Sequence, residues 1–278
     1  EPTIGANSLT QADDHFNTVL YTGDDSTNAI TVGLKPDFVW LKKRSASSSH
    51  RLYNSSTYGG PYSAGASGSI YLKSNATTGD TAGSANSLIS MDTNGFTVHG
   101  TGGDTNADGS TYVAWNWKAN GGTTSSNTSG TITSTVQANT DAGFSIVSYT
   151  GNGTIPSTYG HGLSQTPEVV IVKNRDSVSN WMFNAFLTPT NAYFGILNGT
   201  STLSVSTWMG GTSSVVSMLY ENGVLQNGNG ENYIAYCFHS VEGYSKFGIY
   251  TGNGNADGTF VYTGFRPAFI MRKRTNAV

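Results

Sequence analysis

The chain has 278 residues, of which 11% are charged and 12% aromatic, and its formal net charge is −3. Its 14 lysines and arginines face 17 acidic residues, so the phosphate attraction that drives nucleic-acid binding is weak and no nucleic-acid partner is expected. Scarce charge and 35 glycines disfavour long amphipathic helices, and the absence of a long apolar run in the sequence argues against membrane insertion.

The first element is a short strand that ends in a Tyr-Thr-Gly turn, and it occurs three times. The three copies, which we call the first block, are residues 16–24, 144–152 and 244–253. Each contains an aromatic residue, a short run with strand-forming residues and the turn. Because the spacing between copies is irregular, we interpret the similarity as domain duplication and not as a short solenoid repeat.

A proline-led strand follows each first block. We call it the second block, and its copies are residues 33–44, 162–175 and 264–274. Proline at the start of a strand sits where no ladder N–H is needed. Residues 38–41 and 169–172 are apolar on both faces, which predicts central strands that are covered on both sides.

A third block occurs twice, at residues 111–118 and 232–239. In the first copy, the two-residue period places Val113, Trp115 and Trp117 on one face of a strand. We predict that this aromatic face covers the core of a sandwich. The lone cysteine, Cys237, lies in the second copy and is expected to be a small buried residue.

These elements predict an all-β fold of tandem antiparallel β-sandwich domains, concanavalin-like or jelly-roll in type. The last copy is too short to bury a core alone, so either the natural chain continues or this tail packs on a neighbour. The expected organisation is an N-terminal arm over residues 1–14, a first sandwich over 15–122, a Ser/Thr/Gly linker over 123–130, a second sandwich over 131–243, and a partial third repeat or exchanged tail over 244–278.

Taken together, the three blocks resemble a repeat family of unknown function. The most specific motifs are the Tyr-Thr-Gly-Asn-Gly turn, the Gly-x-x-Pro strand that ends in Lys-x-Arg, and residues 235–248. That family is common in predicted structural and appendage proteins of marine bacteriophages, especially those of cyanobacteria. The resemblance implies a concanavalin-like sandwich and a place on the virion surface or otherwise outside the cell, and it carries over no catalytic residues.

One stretch resembles the opening of a calcium loop. Asp104, Asn106 and Asp108 place oxygen atoms at alternate positions before Gly109, although the glutamate that closes such a loop is replaced by Trp115. Asparagine or aspartate before glycine is also common in tight turns, which is the interpretation that we favour. A Ca²⁺ site at these residues remains the alternative, and no other cofactor is expected.

Aromatic rings over Asn-rich loops are typical of sugar-binding surfaces, because a ring stacks on a sugar face while amides bind its hydroxyls. Core packing is the alternative for each ring. The candidate glycan contacts are Tyr53, Trp181 and Trp208, with Tyr58 and Tyr62 nearby in the sequence. The basic ends of the second blocks could hold anionic glycans or an acidic neighbouring subunit, or they could only solvate strand ends.

No nucleophile elbow, Cys–His pair or metal-binding His-Glu helix occurs in the sequence, so we predict a non-enzymatic protein. Three acids, Asp141, Glu221 and Glu231, leave a glycoside-hydrolase pair open. The leading hypothesis is a virion fibre, spike or decoration subunit that contacts other copies of itself or other virion proteins. The alternatives are an adhesin for host-surface glycans and a non-viral extracellular filament subunit that assembles by strand addition.

Overall fold

The computed structural model describes residues 12–57, 68–84, 86–187, 192–206, 209–218 and 223–275. Within these residues the regular structure is almost entirely β-strand, arranged in several antiparallel sheets of which none is closed. The predicted all-β class is therefore confirmed. Two short helices occur, a 3-10 turn at Ala12–Asp14 and α1 at Gly223–Gln226, and no helix in the described part of the chain could cross a membrane.

We call residues 12–122 the first repeat and residues 123–243 the second repeat. The strands of the first repeat are β1 (Phe16–Thr22), β2 (Thr27–Thr31), β3 (Phe38–Lys43), β4 (Arg51–Asn54), β5 (Gly68–Tyr71), β6 (Thr81–Gly83), β7 (Leu88–Asp92), β8 (Gly95–His99) and β9 (Thr111–Trp117). The strands of the second repeat are β10 (Ser125–Asn127), β11 (Ser134–Asn139), β12 (Phe144–Thr150), β13 (Ser157–Gly160), β14 (Val169–Asn174), β15 (Met182–Ala185), β16 (Ala192–Ile196), β17 (Ser204–Ser206), β18 (Met209–Gly211), β19 (Val215–Met218) and β20 (Asn232–Phe238). The segment predicted as a linker thus contains β10, which pairs with β11.

The two repeats share one strand order. The large sheet of the first repeat runs β1-β9-β3-β4, and the eight-stranded sheet of the second repeat contains β12-β20-β14-β15 in the same order. A three-stranded sheet accompanies each, β2-β8-β7 in the first repeat and β13-β19-β18 in the second. In both repeats the third-block strand lies between the strands of the first and second blocks, so the three blocks of the sequence are direct neighbours in the sheet.

Three buried clusters hold these sheets together. An inner cluster in each repeat joins residues of its large sheet to residues of its three-stranded sheet. Representative members of the inner clusters are Ile30, Val39, Phe96 and Ala114 in the first repeat, and Val147, Tyr159, Val170 and Val216 in the second. The third cluster, which we call the junction cluster, joins the two repeats. Its members include Phe38, Trp40 and Trp117 from the first repeat and Phe144, Ile171 and Tyr236 from the second.

The second-block strands β3 and β14 contribute to both kinds of cluster. Val39 points into the inner cluster of the first repeat while Phe38 belongs to the junction cluster, and Val170 and Ile171 divide in the same way in the second repeat. Alternate side chains of a strand point to opposite faces, so a strand covered on both sides is apolar throughout. The prediction that these are central strands covered on both sides is confirmed.

The aromatic face of β9 packs in a buried core, and that core is the junction cluster between the repeats. Tyr112 and Ala114 belong to the inner cluster of the first repeat, whereas Trp117 belongs to the junction cluster and Trp115 packs against it. The two-residue period sorts side chains onto two faces, but it does not say which face meets which layer. Both faces of β9 are covered, and the face that carries Trp115 and Trp117 is the one turned toward the other repeat.

Residues 244–275, which we call the C-terminal segment, contain no regular strand and lie against the rest of the chain. The ring of Phe269 packs with its centroid 5.4 Å from the rings of both Trp115 and Trp117. The backbone N–H of Leu203 donates to the carbonyl oxygen of Arg274 over 3.0 Å. The segment therefore contacts both repeats of its own chain.

Candidate functional site

The three residues of the predicted calcium loop have different partners. Asp104 forms an ion pair with Arg51 and accepts a hydrogen bond from the Ser48 hydroxyl. Asp108 is exposed, whereas Asn106 is fully buried. Among the described residues, no group of three or more His, Cys, Asp or Glu side chains gathers where it could hold a metal ion.

Asn106 instead bonds the loop before β9 to the first Tyr-Thr-Gly turn. Its Nδ2 donates to Asp24 Oδ1 at 3.1 Å and to the carbonyl oxygen of Ser26 at 2.9 Å. Its Oδ1 accepts from Asn28 Nδ2 at 3.1 Å and from the backbone N–H of Asp24 at 3.4 Å. A buried amide is stabilised when both its donor and acceptor groups are bonded, as they are here. The side-chain oxygen that the alternative Ca²⁺ site would use is thus already engaged.

The second repeat contains the same arrangement, centred on Asn227. Its Nδ2 donates to Asn152 Oδ1 at 3.0 Å and to the carbonyl oxygen of Thr154 at 2.7 Å, and its Oδ1 accepts from the backbone N–H of Asn152 at 2.9 Å. Asn227 precedes Tyr233 by the same interval at which Asn106 precedes Tyr112. We call each buried asparagine, with the turn that it bonds, a turn latch.

The glycine of the Tyr-Thr-Gly motif makes room for the latch. A Cβ atom on Gly23 would lie 2.3 Å from the carbonyl oxygen of Ala107, and one on Gly151 would lie 2.3 Å from that of Gly228. Both contacts are with backbone, which cannot rotate away as a side chain would. The most recognisable motif of the sequence is therefore explained by a loop that crosses directly over the turn.

Replacement of Asn106 by aspartate separates the calcium and latch interpretations. Asn106→Asp removes the Nδ2 donor and leaves a buried carboxylate facing Asp24 Oδ1 and two carbonyl oxygens, so we expect the free energy of unfolding to fall by about 2–4 kcal/mol. Denaturant unfolding with and without millimolar Ca²⁺ measures the loss. The exposed Asp108→Asn substitution is the control. A variant that Ca²⁺ restores to wild-type stability would contradict the latch interpretation.

Two of the predicted glycan contacts lie in the protein interior. Tyr53 is fully buried in the inner cluster of the first repeat, and Trp181 is fully buried in the junction cluster. The indole Nε1 of Trp181 donates to the carbonyl oxygen of Lys73 at 2.8 Å. Neither ring has a face open to a sugar in this structure, so the alternative interpretation, core packing, describes both. The remaining candidates, Trp208, Tyr58 and Tyr62, lie outside the described residues.

The basic residues at the ends of two second-block copies, residues 33–44 and 162–175, form hydrogen bonds or ion pairs within the chain. Lys42 donates its Nζ to the carbonyl oxygen of Lys43 at 2.7 Å, and the buried Lys173 donates in the same way to Asn174, also at 2.7 Å. Arg175 forms an ion pair with Asp80 at 2.6 Å. This pair joins the two repeats beside the junction cluster, so these bonds favour an internal role over glycan binding.

Lys173 gives a pH dependence of stability whose sign follows from its burial. Burial lowers the pKa of Lys173 to about 8, whereas the unfolded chain keeps the ordinary value of 10.5. Between these values the unfolded state binds more protons, so the folded state gains stability as the pH rises. We expect the free energy of unfolding to rise by about 1 kcal/mol from pH 7 to pH 9 because of this group.

Denaturant unfolding across this pH range measures the contribution. Lys173→Met should remove the rise, because methionine occupies a similar volume without a titrating group. Lys246→Met, which removes an exposed lysine of the C-terminal segment, is the matched control. A rise that persists unchanged in Lys173→Met would show that other groups cause it.

Of the three acids that left a glycoside-hydrolase pair open, Asp141 and Glu231 are described, and the antiparallel register of β12 with β20 places them at opposite ends of these strands. Glu231 accepts hydrogen bonds from Ser177 Oγ at 2.6 Å and from Asn174, and the bond from Ser177 contributes most to lowering the pKa of this carboxyl group. These hydrogen bonds to the carboxylate hold the loop that follows β14 beside the second turn latch. Asp141 lies at the turn between β11 and β12, and Glu221 is outside the described residues.

One open cleft of about 290 Å³ lies where the C-terminal segment meets the first repeat. It is lined by Trp40, His50, Trp115 and residues 268–271. His50 Nδ1 accepts a hydrogen bond from Trp40 Nε1 at 2.8 Å, and burial lowers the pKa of His50. The cleft is largely aromatic, and among the described residues that line it His50 alone has a titratable side chain.

These observations define an all-β protein in which one strand order is built twice and the repeated motifs stabilise the fold. Residues 11–278 match the domain of unknown function DUF7483, and the chain belongs to this family. A comparison with curated proteins and one with solved structures each found no match. The predicted resemblance to a family of unknown function is thus confirmed in its coarse form, while nothing in the match indicates a phage or a marine origin.

Proposed function

We propose that this chain is a non-enzymatic structural subunit built from tandem antiparallel β-sandwich domains. One observation carries the proposal: the residues that the two repeats share are used to build the fold. The latch asparagines and the second-block lysines Lys42 and Lys173 bond within the chain, and Gly23 and Gly151 leave room for the loops that cross over them. A duplicated scaffold with its distinctive polar residues turned inward offers shape and stability, which is what an assembly subunit requires.

We further propose that the assembly is a virion appendage, such as a fibre, spike or decoration layer, at the particle surface. The support is the resemblance of the three blocks to repeats found in phage structural proteins. Cryo-electron microscopy of native particles that carry the chain would test this role. The expected result is ordered density for the chain at symmetry-related positions on the particle surface. A chain that stays a monodisperse monomer at high concentration and joins no particle or filament would contradict it.

The aromatic cleft favours a second candidate, an adhesin that binds host-surface glycans. Trp40 and Trp115 line the cleft edge to face beside the imidazole of His50, and aromatic rings next to a hydrogen-bonding group are typical of sugar sites. A glycan array with the whole protein, followed by Trp115→Ala, tests it. A hit that Trp115→Ala abolishes would support this candidate, and an array without a hit above background would count against it.

A further inference from the structure

The two turn latches differ in the residue that follows the buried asparagine. Ala107 follows Asn106 in the first repeat, whereas Gly228 follows Asn227 in the second. Asparagine loses its side-chain amide most readily when glycine follows it, because glycine has no Cβ to hinder the approach of its own backbone nitrogen to the neighbouring side chain. The second latch is therefore built on a chemically labile asparagine, and the first on a more resistant one.

This loss of the amide, called deamidation, consumes only water. The backbone nitrogen of Gly228 bonds to Cγ of Asn227 while the bond from Cγ to Nδ2 breaks. Ammonia leaves with the proton that the backbone nitrogen gives up, and a five-membered succinimide ring remains. Water then adds to one of the two ring carbonyl carbons and opens the ring to aspartate or isoaspartate. Nothing is oxidised or reduced in either step.

In the folded chain, hydrogen bonds hold both reacting groups. The backbone N–H of Gly228 donates to Tyr233 Oη at 2.7 Å. The leaving amide, Nδ2 of Asn227, donates to Asn152 Oδ1 at 3.0 Å and to the carbonyl oxygen of Thr154 at 2.7 Å. These bonds must break before the backbone nitrogen can lose its proton and the amide can leave. The closed latch therefore opposes the first step of the reaction.

Burial opposes the reaction as well. It raises the pKa of Tyr233 to about 12, so the phenol is neutral at neutral pH and does not take the proton of Gly228. Asn227 is only 3% exposed, so the water that would remove this proton and later open the ring has little access. The reaction thus requires the loop to move away from the turn that it crosses.

The same loop contains an exposed pair of identical sequence. Asn229 and Gly230 are both exposed, two residues beyond the latch asparagine. We infer that Asn227 is a deamidation site that the closed latch protects, and that opening of the second latch allows its irreversible conversion to aspartate or isoaspartate. This inference goes beyond the structural role proposed above, because it depends on the latch and not on what the chain assembles with.

Either product would weaken the latch permanently. Aspartate at position 227 has no donor for Asn152 Oδ1 or for the carbonyl oxygen of Thr154, and it places negative charge against both oxygens. Isoaspartate also adds one carbon to the backbone of the loop where it crosses Gly151, a crossing so close that only glycine fits beneath it. Opening can therefore leave a lasting loss of stability in the second repeat that the first repeat, with Ala107, avoids.

Peptide mapping of the whole protein by mass spectrometry tests the site. Wild type is incubated at mildly alkaline pH, either in buffer or in urea that unfolds it. In buffer we expect Asn227 to react at least about tenfold more slowly than Asn229, because only the open fraction of molecules reacts. In urea the two rates should agree within about threefold, since both residues precede glycine. Asn106 should react far more slowly than either in urea.

Two sets of variants test the link to the latch. Gly151→Ala, whose Cβ would displace the crossing loop, should raise the rate at Asn227 in buffer about tenfold and leave that at Asn229 unchanged. Wild type in sub-denaturing urea, where local opening is more frequent, should show the same acceleration. Asn227→Asp should lower the urea midpoint of unfolding, whereas the matched Asn229→Asp should not, because Asn229 is exposed.

Three results would each overturn the inference. Equal rates at Asn227 and Asn229 in folded wild type would show that the latch gives no protection. An Asn227 that stays intact in unfolding urea while Asn229 reacts would show that it is not a deamidation site. A wild-type midpoint in protein that is deamidated at Asn227 and then refolded would show that the latch does not depend on this amide.

Discussion

Replacement of Gly151 by alanine is expected to lower the free energy of unfolding by about 2–4 kcal/mol. The backbone at Gly151 has an ordinary φ, so the penalty is steric and not conformational. The new Cβ would lie 2.3 Å from the carbonyl oxygen of Gly228 and 3.0 Å from the carbonyl carbon of Asn227. The loop must then move away, which breaks bonds of the buried Asn227 amide and leaves its polar atoms unsatisfied.

Two other glycines make this prediction specific. Gly23→Ala should have a similar effect in the first repeat, because the carbonyl oxygen of Ala107 stands at the same 2.3 Å. Gly252→Ala should have no effect, because nothing lies within 4 Å of its Cβ. Equilibrium denaturation of the three variants gives the comparison. If all three lost the same stability, the cost would come from the loss of glycine itself and not from the crossing loop.

The strands that carry the three blocks could be predicted from the sequence because each strand is marked by a local pattern. The Tyr-Thr-Gly turn, the proline-led apolar run and the alternating third block each mark one strand. The runs at 38–41 and 169–172 also revealed strands covered on both faces, and β3 and β14 are such strands. These features depend on residues that are neighbours in the chain, which is the information that a single sequence contains.

The turn latch could not be recognised in this way. Asn106 stands between two aspartates at the spacing of a calcium loop, but its partners Asp24 and Ser26 lie some 80 residues earlier in the chain. A buried amide and a metal-binding amide have the same local sequence, and only the fold decides between them. One signal was available, since Asn106 and Asn227 precede Tyr112 and Tyr233 by the same interval while the flanking aspartates are not repeated.

The sequence pattern alone also could not predict the junction between the repeats. Latch and inner-cluster residues are similar in the two copies because corresponding side chains pack against each other within each copy. Junction residues differ, with Phe38 matched by Val169 and Trp117 matched by Phe238. Each side packs against the other repeat, so complementary shapes are needed there and identical ones are not. Duplication predicts two similar units, but it does not predict which faces join them.

The junction cluster is where the second large effect is expected. Phe38→Ala should lower the free energy of unfolding by about 3–5 kcal/mol, the usual cost of removing a buried phenylalanine ring. The ring of Phe38 lies 4.3 Å from that of Tyr236 and 5.2 Å from that of Trp117, measured between centroids. Its removal leaves a cavity between two sheets, and a sheet cannot shift to fill it without disturbing its own inner cluster.

A double-mutant cycle tests whether this residue couples the repeats. Phe38 and Tyr236 come from different repeats and stack directly, so Phe38→Ala and Tyr236→Ala should be non-additive by about 0.5–1.5 kcal/mol. Phe96→Ala is the matched control, because Phe96 is fully buried in the inner cluster of the first repeat. It should cost a similar amount alone and add to Tyr236→Ala within about 0.5 kcal/mol, since the two residues belong to different clusters. Additive effects of Phe38→Ala and Tyr236→Ala would show that the repeats are held together by other contacts.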